Sequence, residues 1–452
     1  MDTSKDTGEQ KSLILLSQDK AGGVRRRVAE NPNTPTDVLV SLSKDADVEV
    51  RSGVAGNHRT PTEVLEALSN DEESDVRDNV ARNHHSSIDA LKILTKDKNQ
   101  YVRSLAIENP TTSIELLEAL AKDRDETVRA NVAASRKIPI KLLETLSQDD
   151  DKNVVRGVAR NPNTPSQILG VLAKDKNEIV RWDVGGNSNS PSEVLEYLAK
   201  DKENDVRQSV AGNPNTPSEV LDILAKDKVA DVREYVAGNV STPIKTLKSL
   251  ANDKVCEVRK SIAANLNTPI EVLELLTEDA ESEVRENIAR NLATPPRLLE
   301  LLAKDKECDF RVNIASNSNT PIQILEALAK DKKSDVRQSV AGNPNTPSEV
   351  LDILAKDKVA DVREYVASNV STPINILELL IKDENWVTRR YVASNPNTST
   401  NLLSALAKDK SHFVRMNVAG NPNTPAEVLE FLARDEEEEV RCKVATNRVT
   451  LT

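Results

Sequence analysis

The sequence predicts an all-α solenoid of about seventeen two-helix repeats without strands. Three observations predict it: a fixed 26-residue step, a composition poor in large side chains, and apolar stripes at helical spacing. The step is read most directly from Arg25, since every twenty-sixth residue from there to Arg441 is Arg, with Val155 the one exception and Arg156 beside it. Asn recurs six residues after the Arg, from Asn31 to Asn447, with Ser135 the exception. Leu fills the positions fourteen and seventeen residues after it, and Asp the position twenty after it, in every complete unit. Composition agrees. A chain of 452 residues would ordinarily suggest two or three globular domains, but 2% aromatic and 38% hydrophobic residues suit a thin layered core better than a deep one.

Each element of the unit follows from local rules, and residues 205–228 illustrate them. The second helix is the clearer one. Thr216 reads as its N-cap, Pro217 as its first position, where a missing N–H costs nothing, and Glu219 as the partner of a capping box. Val220, Leu221, Leu224 and Ala225 then form one apolar stripe. The first helix is expected to be the shorter, roughly 206–212 and partly 3₁₀ in character, with Val206, Val210 and Ala211 inward and Arg207, Gln208 and Ser209 on the surface. The link Asn213–Thr216 is a turn punctuated by Pro and Asn. Neither helix can bury its stripe alone, so stacked copies must share a continuous core.

The line VRxxVAxNPNTPxEVLxxLAKD, complete at 206–227 and 336–357, resembles the leucine-rich repeat variant family, a helical repeat family in the style of HEAT and armadillo solenoids. The resemblance runs from about residue 11 to about residue 450. It implies a right-handed superhelix of alternating α and 3₁₀ helices and almost no activity. Some members of that family carry an iron–sulfur segment at the N terminus, but residues 1–10 here contain no Cys. The expected organisation is a polar segment at 1–10 and a single solenoid at 11–452. A half-unit cap at 11–20 carries Leu13 and Leu16, and the last unit, about 440–452, is truncated, so its exposed stripe should need a cap or a partner. Residues 200–244 and 330–374 are nearly identical and lie five units apart, the mark of a multi-unit duplication.

The recurring charges read as architecture. Asp six residues before each Arg, as Asp201 stands before Arg207, offers an exposed ion pair worth at most about 1 kcal/mol. The Asn column should tie the turns of neighbouring units together. His58 and His84 share one turn position in consecutive units with His85 alongside, and read as surface histidines. Cys256, Cys308 and Cys442 lack metal or redox spacing and read as thiols of a reducing compartment. No nucleophile elbow, zinc-protease or phosphate-loop motif occurs, so no enzyme, metal or cofactor is predicted.

A net charge of −12 argues against nucleic acid, and there is neither an apolar run long enough to span a membrane nor a secretion signal, so the expectation is a cytoplasmic protein. The repeat stops dictating identity one and two residues after each Arg. There stand Trp182, Tyr235, Tyr365 and Tyr391, four of the ten aromatic residues. These are the candidate anchors of a non-catalytic scaffold that binds a protein or peptide along one face. Nucleic-acid binding and self-assembly through uncapped ends are the alternatives.

Overall fold

The computed structural model describes residues 8–303 and 308–447. Among these residues the chain forms 34 α-helices, two to a repeat, and no strand. They group into two compact units, one made of residues 1–112 with 325–452 and the other of residues 113–324. The two helices of a repeat reverse the predicted order of length. In the Arg207 repeat the first helix is Asn204–Gly212, nine residues, and the second is Ser218–Leu224, seven. The first helix begins early because the Asp201 carboxylate accepts from the Glu203 backbone N–H (3.0 Å) and turns the chain into it. Three-residue bonds close the helix ends and the link, as from Asn213 N–H to the Val210 carbonyl (3.2 Å) and from Thr216 N–H to the Asn213 carbonyl (3.1 Å).

The Thr column does not cap the second helix as expected. Thr216 Oγ1 donates backwards to the Val210 carbonyl (2.5 Å), which satisfies an open end of the first helix. Pro217 holds the cap position without a side-chain bond. Where Ser replaces that Pro, at Ser87, Ser113 and Ser399, the hydroxyl accepts from the backbone N–H three residues on. The capping column therefore lies one residue later than the sequence suggested.

Val206, Val210, Ala211, Val220, Leu221 and Leu224 are buried together. Full burial of one such Leu or Val contributes about 1.5–3 kcal/mol, and cutting Leu221 to Ala would cost about 2–5 kcal/mol. Within each unit the first helices of successive repeats pack directly on one another, whereas the second helices mostly stand apart. The first helices therefore line the inner side of each unit. Small residues permit this: a Cβ on Gly157 would come within 2.8 Å of the Ala130 carbonyl, so Gly157 lets helix Lys152–Arg160 press onto Glu126–Ala134.

Two polar ladders lock this stack. The Asn ladder has the predicted role: Asn213 Nδ2 donates to the Gly185 and Asn187 carbonyls of the preceding repeat (2.8 and 2.9 Å), while its Oδ1 accepts from Asn215 N–H (2.9 Å). The Arg ladder differs from its prediction. Arg207 is only 7% exposed, and its carboxylate partner is Asp227, twenty residues later (Nε–Oδ2 2.6 Å, Nη2–Oδ1 3.0 Å). Asp201, six residues earlier, supplies its backbone carbonyl instead (2.9 Å). Each Arg of this kind thus clamps the start of its own first helix to the end of its own second helix. Ser209 is buried as well, with its hydroxyl on the Val206 carbonyl.

The exposed stripe expected on the Arg441 repeat is covered from within the chain. Residues 1–7 and 448–452, and with them most of the predicted polar segment and the last few residues of the truncated unit, lie outside the described residues. Helix Gly8–Leu16 begins inside the segment read as polar and buries Leu13 and Leu16. It packs on helix Ala426–Leu432 and against Glu438–Ala445, as the missing second helix of the Arg441 repeat. Asp19 completes that repeat by pairing with Arg441 (2.8 and 3.4 Å). Asn31 Nδ2 then donates to the Ala445 and Asn447 carbonyls (2.5 and 3.3 Å), in the register by which Asn57 takes those of Ala29 and Asn31.

Candidate binding face

Trp182 and Tyr235 lie in the 113–324 unit, on first helices Glu178–Gly186 and Ala230–Gly238. They are 42% and 51% exposed. The Tyr235 ring rests on the preceding repeat at Gly212, where a Cβ would stand 3.0 Å from its Cδ1. Glu234, Tyr235, Gly212, Gly238, Asn239 and Ser261 line a shallow depression of ≈ 330 Å³. Tyr365 and Tyr391 lie in the other unit, on helices Ala360–Ser368 and Trp386–Ser394. Tyr365 is 47% exposed and rests on Gly342 in the same way, while Tyr391 is half-buried. These rings thus partly cover a neighbouring helix and still leave surface to solvent.

A second aromatic group escaped the sequence reading. Trp386 stacks on Phe413 (centroids 4.9 Å apart), with His412 against the same Phe ring (4.0 Å). The Arg390 guanidinium covers both Trp386 (5.8 Å) and Tyr391 (4.8 Å). Trp386, His412 and Phe413 stand two and three residues before their Arg, in the first turn. Elsewhere that turn often carries Asp or Glu, as at Asp205, Asp231 and Asp361, and the loss of that acid was the available signal.

The irregular repeat has its own solution. With Val155 in the Arg column, Arg156 and Arg160 both reach Asp183 (2.8 and 2.5 Å), whose side chain is fully buried. Asp175, deprived of its Arg, meets Lys152 at 3.6 Å. In the regular repeats the hydrogen bond from the column Arg lowers the carboxyl pKa: Arg233 holds Asp253, and Arg259 holds Asp279, below the ordinary range. Burial, reinforced by Asp361, pushes Glu364 up.

His58, His84 and His85 are all exposed, and no group of three His, Cys, Asp or Glu among the described residues is placed to hold a metal. Nor is any helix among them long and apolar enough to cross a membrane.

No protein-family model and no curated protein matches the chain. Among solved structures it is similar to a leucine-rich repeat variant with a repetitive protein structural motif, at 27% identity and TM-score 0.36, over 49% of this chain and 87% of that one. The chain resembles the leucine-rich repeat variant. It is also similar to Kap95p, solved with RanGDP, at 12% identity and TM-score 0.33 over 90% of this chain and 69% of that one. Kap121p bound to Nup53p matches at 11% identity and TM-score 0.28, over 96% of this chain, which spans 55% of the length of that protein.

Proposed function

We propose that the chain is one continuous, non-catalytic repeat scaffold of the cytoplasm that binds a protein or peptide along its first-helix face, with Trp182, Tyr235, Tyr365 and Tyr391 as anchors. The observation that carries this reading is the placement of half-exposed rings on the inner first helices, at the two positions where the repeat leaves identity free. Aromatic rings supply large contact area at low entropic cost, and repeat arrays bind on extended surfaces of this kind. The deeply placed charges are spent on architecture, as Arg207 on Asp227, which leaves the variable rows to set specificity. Self-assembly through open ends is the weaker alternative, because Asp19 and Asn31 engage the Arg441 repeat within the same chain.

The test is capture from a lysate of the source cell by the full chain and by a variant carrying Trp182→Ala, Tyr235→Ala, Tyr365→Ala and Tyr391→Ala. A protein held by the first and lost from the second, at equal melting temperature, is the expected result. Identical capture by both would remove the rings from the function.

A further inference from the structure

Resting on that reading, we propose that the first-helix face of the Arg181, Arg207 and Arg233 repeats takes a basic, extended peptide segment, whose cationic side chains lie on the rings of Trp182 and Tyr235. The two aromatic sites of the molecule point to this by contrast. At Trp386 and Tyr391 the protein supplies its own cation, since Arg390 covers both rings. Among the described residues no Lys or Arg covers Trp182 or Tyr235, and both keep much of their surface in solvent.

Four carboxylates beside these two rings lack a cationic partner among the described residues. Glu178, Asp205 and Asp231 are exposed and Glu234 is half-exposed, and none of the four forms an ion pair with Lys or Arg among the described residues. The neighbouring cations are already committed: Arg156 and Arg160 to Asp183, Arg181, Arg207 and Arg233 to Asp201, Asp227 and Asp253, and Lys260 to Glu283. Glu178, Asp205 and Asp231 stand in first turns, where a helix dipole favours an acid. Glu234 does not; it lies mid-helix and lines the depression beside Tyr235. A carboxylate and an aromatic face on one depression, floored by Gly212 and Gly238, form a seat for an ammonium or guanidinium group. A Cβ on Gly186 or Gly238 would meet no atom within 4 Å, so the floor is open to an approaching backbone.

Spacing sets the ligand's form. Packed helices stand about 8–10 Å apart, so rings two repeats apart are separated by about 16–20 Å, the reach of five or six extended residues at about 3.3–3.6 Å each. The segment that fits has two Lys or Arg residues about six positions apart.

The experiment uses the full-length protein and three fluorescein-labelled Gly/Ser peptides of about twelve residues, with two Arg, two Glu or two Leu placed about six residues apart. Fluorescence anisotropy is read at low and high salt. The Arg peptide is expected to bind at least about tenfold more tightly than the other two and to weaken with salt. Trp182→Ala and Tyr235→Ala should each weaken it about tenfold, and Glu234→Gln should weaken it with the rings intact, while Tyr101→Ala, at an exposed ring outside the proposed face, leaves it unchanged. Circular dichroism confirms that the variants are folded. Equal binding of the Leu or Glu peptide, no binding of the Arg peptide, or indifference to Glu234→Gln would overturn the proposal. Should the lysate partner still depend on the rings, the scaffold reading survives and the basic ligand alone falls; if neither depends on them, both fall.

Discussion

Residues 200–244 and 330–374 differ at only three positions, Glu203/Lys333, Asn204/Ser334 and Gly238/Ser368, so they show what a repeat decides for itself and what its neighbour decides. The frameworks coincide. Arg207 meets Asp227 at 2.6 Å and Arg337 meets Asp357 at 2.6 Å; Thr216 and Thr346 each donate to a Val carbonyl at 2.5 Å; Tyr235 and Tyr365 rest on Gly212 and Gly342. The chemistry of the exposed face diverges. Asn385 donates to Glu364 (2.8 Å), and burial pushes that carboxyl up, whereas the residue corresponding to Asn385 after the first copy is Val255, which has no amide. The next repeat likewise brings Arg390 and Tyr391 beside the second copy, but Lys260 and Ser261 beside the first. A repeat thus fixes its own skeleton, and the repeat after it tunes the surface.

The strongest way to break this modularity is where one repeat is assembled from distant parts of the chain. Leu16→Asp places a charge at a site 1% exposed. It should release helix Gly8–Leu16 from the Arg441 repeat, costing several kcal/mol and making helix Glu438–Ala445 exchange its amide hydrogens rapidly; protection unchanged by the substitution would mean that the repeat stands without its second helix. Next in size, Asp227→Ala and Asp357→Ala each leave a buried guanidinium unpaired. Both should cost about 3 kcal/mol in urea unfolding, and unequal losses would show that the skeleton is not set by the repeat alone.

Smaller effects sharpen the comparison. Asn239 and Asn369 each donate to two carbonyls of the preceding repeat, at 2.6 and 2.9 Å and at 2.7 and 2.9 Å. Their Ala variants, like Asn213→Ala, should lose about 1–3 kcal/mol, and a melting curve unmoved by any of them would remove the ladder from the account. The smallest difference lies at Glu364. Its folded pKa is raised, so the folded state binds the proton more tightly and stability falls as pH rises from the ordinary Glu range through the raised value. Glu364→Gln should therefore stabilise the protein at neutral pH and lose that advantage below about pH 4. Asp253 and Asp279 carry the opposite sign: their depressed pKa values give stability that is present above the ordinary Asp range and lost as pH falls through the folded values. Acid titration of the melting temperature reads both.

By itself the sequence determined the all-α repeat, its 26-residue register, the Leu and Val core and the Asn ladder, because each depends on contacts at a fixed offset that recur in every unit. The candidate rings at Trp182, Tyr235, Tyr365 and Tyr391 were legible as departures from that register. Only the tertiary structure decided which carboxylate each Arg takes. Asp201 and Asp227 are both within reach of Arg207 along the chain, and the fold presents the carbonyl of one and the carboxylate of the other. The Trp386–Phe413 stack arises between adjacent repeats, and the Asp19–Arg441 pair joins residues 422 positions apart. Such contacts leave no local period to read; they exist because packing brings together surfaces that the chain itself keeps apart.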